Sequence, residues 1–187
     1  MISTYLFDLD DTIIDASIYT KMYQPIINKL AEQISAIELQ KIINEIKKET
    51  KKSRVDTYEL CEKLNCTEFY YDLLEQYIEE YGKLKFDIVS VFKKIKNNGK
   101  KIGIVSNSKE KTINLFLKYF NLNQYVELII SGNKSDPDFW QTMIIKYKFD
   151  KQTTLLIDND DDVIELAKAS GLKALKIKHD SIQNFNL

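Results

Sequence analysis

The sequence predicts an α/β protein with a doubly wound parallel sheet and a small inserted α-helical domain. Short apolar runs rich in β-branched residues alternate with segments of helical periodicity along most of the chain, which is the element order of a parallel sheet. One long stretch near the amino end breaks this alternation. Its apolar residues follow helical periodicity only, and it is much longer than an ordinary strand-to-helix connection.

Five apolar runs are predicted to form the sheet. The first ends abruptly in acidic residues, as a buried parallel strand does where it leads into a loop. The predicted strands are residues 4–7, 101–105, 126–130, 154–157 and 174–177, and the helical segments between them include 88–95, 113–120 and 139–147. The resulting core domain is expected to comprise residues 1–14 and 86–187.

The inserted domain is expected to comprise residues 15–85 and to contain four helices. Their apolar positions cover 18–34, 39–46, 60–64 and 69–81. Ser35 and Glu38 have the spacing of a capping box, which predicts that the second helix begins there. Asp15 either caps the first helix or lies in a hinge between the domains, and the capping role is favoured.

Composition and charge exclude several classes of function. The chain has 27 Lys and Arg against 28 Asp and Glu, so it has no overall positive field to recruit nucleic acid or an anionic membrane. No apolar run approaches the ~20 residues that span a bilayer, and the first residues do not resemble a leader. We therefore expect a cytoplasmic protein with neither partner. Cys61 and Cys66 are expected to be free thiols, since no second pair or nearby histidine completes a zinc site.

Polar side chains follow four of the predicted strands, at the edge where a doubly wound sheet binds ligands. They are Asp8, Asp10 and Thr12 after the first strand, Ser106 and Asn107 after the second, Lys134 near the third, and Asp158 and Asp162 after the fourth. A phosphate monoester repels an attacking carboxylate until cations neutralise both. Carboxylates that bind Mg²⁺, together with a lysine, meet that need, so the pattern indicates phosphoryl transfer.

This ordered set resembles the four motifs of the haloacid dehalogenase-like superfamily. Residues 7–12, Phe-Asp-Leu-Asp-Asp-Thr, fit the first motif D-x-D-x-T in full, and residues 104–107, Ile-Val-Ser-Asn, fit the second. Residues 134–137, Lys-Ser-Asp-Pro, approximate the third motif K-P-x-P. Residues 157–162 approximate the fourth, G-D-x-x-x-D, with Ile157 in place of the glycine. The resemblance covers almost the whole chain, and the helical insertion lies where the family carries a cap.

The resemblance implies a phosphatase that acts on a small phosphorylated metabolite through an aspartyl-phosphate on Asp8. Asp10 would protonate the leaving alcohol and later deprotonate the attacking water. Family members resembling dehalogenases need no acid at this position, whereas phosphatases and phosphomutases do. Lys134 would supply positive charge to Asp8 and to the phosphate. The remaining residues implied to bind or position the phosphate are Thr12, Ser106 and Asn107.

The resemblance also implies one Mg²⁺ as cofactor. The side chains of Asp8 and Asp158 and the backbone carbonyl of Asp10 would bind it. Asp162 would support the metal site from outside the ligand set, and either of the two preceding aspartates is an alternative for that role.

Plainer interpretations exist for each motif taken alone. Acidic residues after a strand often cap the next helix, as residues 158–162 would, and Lys134 would be a solvated lysine. The acidic run also starts like a calcium loop, but Val163 and Ala169 replace the glycine and the glutamate that such a loop requires. Four motifs in order along the chain favour the catalytic interpretation over separate local explanations.

Two alternative functions use the same fold. A phosphomutase would pass the phosphoryl group from Asp8 to a sugar hydroxyl instead of water. A non-catalytic binding or regulatory protein would have lost turnover, which is disfavoured because so many like charges are costly to keep together. Arg54, in a lysine-rich stretch of the insertion, is a candidate for contacting a second anionic group of the substrate.

Overall fold

A five-stranded parallel sheet forms the centre of the computed structural model, which describes residues 1–50 and 55–177. The strands are β1 (Thr4–Phe7), β2 (Lys101–Ser106), β3 (Leu128–Ser131), β4 (Thr154–Asp158) and β5 (Lys173–Lys176). Their order in the sheet is β3-β2-β1-β4-β5, and every neighbouring pair is parallel. The predicted doubly wound α/β fold is therefore confirmed. β3 begins two residues later than predicted and β5 one residue earlier.

Helices connect the strands and form the insertion. They are α1 (Ser17–Ala31), α2 (Ala36–Thr50), α3 (Thr57–Lys63), α4 (Thr67–Tyr81), α5 (Ile88–Asn97), α6 (Glu110–Tyr119), α7 (Pro137–Tyr147) and α8 (Asp161–Ala169). Of the helices in the described ranges, none is both long enough and apolar enough to cross a bilayer.

The chain divides into two compact units. One, the α/β unit, contains Met1–Asp15 and the chain from Lys83 onward; the other, the helical unit, is Ala16–Gly82 and contains α1 to α4. The predicted insertion began one residue before the helical unit and ended three residues after it. Those flanking residues belong to the α/β unit, in which the N–H of Asp15 donates to the carbonyl of Lys83 and the N–H of Lys85 donates to the carbonyl of Ile13, both at 2.9 Å.

The interpretation of Asp15 as a helix cap is wrong. α1 begins at Ser17, and the residue in the N-cap position is Ala16, which makes no side-chain capping bond. Asp15 precedes the N-cap position, and its N–H pairs with the carbonyl of Lys83. The start of α2 agrees with prediction, since the Ser35 hydroxyl accepts from the N–H of Glu38 at 3.2 Å.

Both faces of the sheet are covered by apolar side chains, as expected for parallel strands. On one face Phe7 packs against Phe92 of α5, with ring centroids 5.0 Å apart. On the other, Leu6 and Leu156 join side chains of α7 and α8, among them Trp140, in one buried cluster. This packing fixes the strands, and with them the positions of the residues at their carboxyl ends.

The helical unit is held together by an apolar stripe on each helix. In α1 the buried residues Ile18, Met22, Ile26 and Leu30 recur at every fourth position, so they lie on one side of the helix. The buried residues of α4 include Leu74 and Ile78. Helices of this length gain most of their stability from such packing, since each Å² of apolar surface that is buried contributes roughly 25 cal/mol.

Candidate active site

The carboxyl ends of β1 and β4 bring two aspartates side by side. The strands pair with Phe7 opposite Ile157, and the N–H of Asp8 donates to the carbonyl of Ile157 at 2.9 Å. Asp158, the last residue of β4, follows Ile157 directly and is therefore the neighbour of Asp8 across the sheet. The two residues are only 3% and 0% exposed. Two carboxylates placed this way repel each other unless a cation lies beside them.

Lys134 supplies one such cation. It follows β3 and is buried, and its Nζ donates to Asp158 Oδ2 at 2.7 Å and also to Asp8 Oδ1. Three residues that are far apart in the sequence thus share one buried cluster, here called the Asp–Lys–Asp cluster. Lysine and aspartate are seldom fully buried unless they are paired in this way.

Two further side chains hold the backbone of Lys134 in place. Its N–H donates to Asn107 Oδ1 at 2.8 Å, and its carbonyl accepts from Trp140 Nε1 at 2.9 Å. Trp140 lies on α7 and is fully buried. Its contact with Lys134 was missed. The signal available was that a buried indole N–H requires an acceptor.

Burial is the largest single influence on the pKa values of Asp8 and Lys134. Burial raises the pKa of Asp8, the Lys134 ammonium opposes that effect, and the charges of Asp158 and Asp10 add to it, so that the pKa reaches about 7. Burial lowers the pKa of Lys134, but the charges of Asp8 and Asp158 outweigh it and the net shift is upward. A further cation beside Asp8 would favour the charged form of its carboxyl, which burial disfavours.

Asp10 and Thr12 lie on the loop after β1. Asp10 is partly buried, and its Oδ2 accepts from the hydroxyl of Ser108 at 2.8 Å. Thr12 is buried, and its hydroxyl donates to Asn159 Oδ1 at 3.3 Å, which ties the loops after β1 and β4 together. The contacts of Ser108 and Asn159 were not anticipated from the sequence, because neither residue is a defining letter of a motif.

Ser106 ends β2 and is fully buried. Its hydroxyl oxygen accepts from the N–H of Ser108 at 3.0 Å. Because a lone pair of this oxygen faces the Ser108 N–H, the O–H of Ser106 points in another direction and can donate to a ligand. Asn107, the next residue, is exposed apart from its contact with the N–H of Lys134.

The aspartates after β4 take different positions. Asp160 caps α8, accepting from the N–H groups of Asp162 and Val163, so the capping interpretation holds for this residue. Asp161 forms an ion pair with Lys176. Asp162 lies exposed in the first turn of α8, and its support of a metal stays a prediction. Arg54 lies outside the described residues.

The residues present suit a divalent cation. Within residues 1–50 and 55–177, no group of three His, Cys, Asp or Glu side chains is placed to hold a metal ion. The predicted ligand set differs from such a group, because it uses two carboxylates, Asp8 and Asp158, and the backbone carbonyl of Asp10. These are the hard oxygen donors that Mg²⁺ prefers, and the uncompensated charge around Asp8 would be relieved by it.

A model of the haloacid dehalogenase-like hydrolase family matches residues 5–177. The chain belongs to this family. The resemblance inferred from the four motifs is thereby confirmed. In this chain the motif residues follow the carboxyl ends of β1, β2, β3 and β4.

Relatives of this hydrolase include proteins named for pyrophosphatase activity. Pyrophosphatase PpaX of Bacillus mycoides is 24% identical over 172 residues, covering 87% of this chain and 78% of the relative. A protein of the same PpaX name from Caldanaerobacter subterraneus is 25% identical over 185 residues, covering 95% of this chain and 82% of the relative.

Solved structures share the fold. CbbY from Rhodobacter sphaeroides, in complex with xylulose-1,5-bisphosphate, has a TM-score of 0.65 at 12% identity over 96% of this chain and 88% of its own. A subfamily IA hydrolase of the same superfamily from Geobacter sulfurreducens has a TM-score of 0.66 at 14% identity over 94% and 89%. At these identities the comparison establishes the architecture and leaves substrate and reaction to the site itself.

Proposed function

We propose that the chain is a magnesium-dependent phosphohydrolase that forms a transient aspartyl-phosphate on Asp8. The observation that carries this proposal is the contact of one buried ammonium, Lys134 Nζ, with the carboxylates of both Asp8 and Asp158. Burying these charges costs several kcal/mol per ion before their attraction is counted, so stability alone does not account for them. A reaction that needs a nucleophilic carboxylate in a cationic environment does account for them.

Asp8 is the proposed nucleophile. One of its carboxylate oxygens attacks phosphorus, the new O–P bond forms, and the bond from phosphorus to the leaving oxygen breaks. Water then attacks the phosphoryl group, and the Asp8–phosphorus bond breaks to give inorganic phosphate. Lys134 stays in contact with Asp8 and offsets the negative charge that would otherwise repel the phosphate.

Asp10 is the proposed general acid and base. In the first step its proton passes to the leaving oxygen, and in the second step it accepts a proton from the attacking water, so the proton balance closes. The residue lies two positions after the nucleophile on the same loop, partly buried, with Oδ2 bonded to Ser108. A carboxylate there is required for phosphate esters with poor leaving groups.

Mg²⁺ is the proposed cofactor, held by the side chains of Asp8 and Asp158 and the backbone carbonyl of Asp10, with Asp162 as the supporting residue. It would neutralise charge on the phosphoryl group and on the two carboxylates. Thr12 fixes the loop after β1 through Asn159, and Ser106 and Asn107 are the proposed phosphate donors at the end of β2.

The proposed substrate is a small phosphorylated molecule, with the helical unit, 15–85 in the predicted boundaries, acting as the cap that selects its leaving group. The names of two relatives make inorganic pyrophosphate the first compound to test. Arg54 remains a proposed contact for a second anionic group of the substrate.

Phosphate release in the presence of Mg²⁺ tests the proposal. Purified protein is expected to release phosphate from pyrophosphate, p-nitrophenyl phosphate or a panel of sugar phosphates, and to lose this activity when EDTA is added. Asp8→Asn is expected to abolish turnover, since an amide is not a nucleophile, while Asp72→Asn, an exposed change on α4, should leave it intact. Folded wild-type protein that releases no phosphate from any of these compounds would remove the proposal.

The same assay separates hydrolysis from phosphomutase activity. A hydrolase releases inorganic phosphate in step with substrate loss, whereas a mutase forms a phosphate isomer with little release. Chromatography of the sugar phosphates after incubation therefore decides between the two reactions.

A further inference from the structure

Ser108 makes a contact that the four motifs do not account for. It lies two residues beyond the end of β2 and is partly buried. Its hydroxyl donates to Asp10 Oδ2 at 2.8 Å, across 98 positions of the sequence. This distance is typical of a well-formed bond from a hydroxyl to a carboxylate.

The backbone of Ser108 is held on two sides. Its N–H donates to the hydroxyl of Ser106 at 3.0 Å, and its carbonyl accepts from the hydroxyl of Ser131 at 2.7 Å. Ser106 and Ser131 are opposite each other at the ends of β2 and β3. The Ser108 hydroxyl is therefore presented to Asp10 from two strand ends of the sheet, which is a rigid support.

The bond from Ser108 limits how the Asp10 carboxylate can rotate. A carboxylate held by a hydroxyl on a fixed loop keeps one orientation relative to the end of β1, where Asp8 lies. Precise placement of an acid matters for proton transfer, because the acid must lie within hydrogen-bond reach of the oxygen that it protonates.

We infer that Ser108 is the positioning residue of the general acid, and that its bond to Oδ2 holds the Asp10 carboxylate in the orientation required for proton exchange with the leaving oxygen and the attacking water. The inference rests on the proposed function, because it assigns Ser108 a part in a proton transfer that only that reaction requires. It follows that Ser108 matters for substrates whose leaving group needs a proton and hardly at all for substrates whose leaving group departs as a stable anion.

The test compares kcat/KM for two aryl phosphates, phenyl phosphate and dinitrophenyl phosphate. This ratio reports on the steps up to formation of the aspartyl-phosphate, in which the leaving group departs. Phenolate is a poor leaving group and needs a proton, whereas dinitrophenolate does not. Ser108→Ala is expected to lower kcat/KM for phenyl phosphate by about 10-fold or more and to change the value for dinitrophenyl phosphate by less than about 3-fold.

Two further variants control the measurement. Ser108→Thr keeps a hydroxyl and should restore most of the activity on phenyl phosphate. Ser3→Ala removes an exposed serine hydroxyl at the amino end of β1, in the same unit, and should behave as wild type on both substrates. Circular dichroism and the thermal midpoint establish that each variant is folded.

The outcomes separate this inference from the proposed function. Equal losses on the two substrates in Ser108→Ala, or no loss on either, would overturn the positioning role while wild-type turnover that depends on Asp8 still supports the hydrolase. Absence of turnover in wild-type protein, with Asp8→Asn indistinguishable from it, would overturn both.

Discussion

The two units of this chain bury different kinds of side chain. The α/β unit buries two aspartates and a lysine, whereas the described part of the helical unit buries no charged side chain. Apolar burial stabilises a fold directly, but a buried charge does so only with a partner. The proposed function accounts for this difference, because it assigns the buried charges of the α/β unit to the reaction.

Removal of the Lys134 charge is the strongest test of this comparison. Lys134→Met leaves Asp8 and Asp158 buried without their cationic partner. We expect the free energy of unfolding to fall by about 3–5 kcal/mol, the usual cost of breaking one side of a buried ion pair. Urea denaturation in the presence of EDTA measures the loss without a contribution from bound metal.

Lys63→Met is the matched control in the helical unit. Lys63 pairs with Glu49 at 3.1 Å, but both side chains are well exposed, at 41% and 62%. Its removal should cost about 1 kcal/mol or less. Similar losses for the two variants would mean that buried charge does not distinguish the units.

Magnesium is expected to stabilise the protein through the α/β unit. At about 100 times its Kd, a ligand that binds only the folded state adds about 2.7 kcal/mol to the free energy of unfolding. Asp158→Asn removes a proposed ligand and should abolish this gain, measured as the difference in thermal midpoint with and without MgCl₂. Each variant is compared with its own metal-free state, which cancels the direct effect of the substitution.

Asp72→Asn controls for loss of negative charge. Asp72 is exposed on α4, so the gain from magnesium should match that of wild type. A gain that survives Asp158→Asn would place the bound magnesium away from β4.

The positions of the strands and of the motif residues at their ends could be predicted from the sequence. Apolar runs are a local signal, and parallel strands have their carboxyl ends on one edge, so Asp8 and Asp158 were expected together. Lys134 was expected beside them because of motif order, although it belongs to a loop and not to a strand. The family match supports this part of the argument over residues 5–177.

Contacts that depend on loop conformation could not be predicted. Ser108 meets Asp10 only because the turn after β2 is fixed by Ser106 and Ser131. Asp15 looked like a helix cap from its neighbours in sequence, but α1 begins two residues after it, and its N–H pairs with Lys83, far along the chain. Such bonds are non-local, and no periodicity or spacing in the sequence reports them.

The thiols of the helical unit provide the finest test of the comparison. Cys61 is fully buried, and burial raises its pKa to about 12, so it remains a neutral thiol at pH 8. Cys66 is partly exposed. A thiol reacts with Ellman's reagent as its thiolate, and only where the reagent can reach it. An excess of the reagent should therefore modify Cys66 quickly in folded protein, and both thiols in urea.

Two variants identify the fast thiol. Cys66→Ser should remove the fast phase and Cys61→Ser should preserve it. Rapid reaction of Cys61 in folded Cys66→Ser protein would mean that the helical unit opens readily. Its apolar packing would then not stabilise the unit as the comparison between the two units assumes.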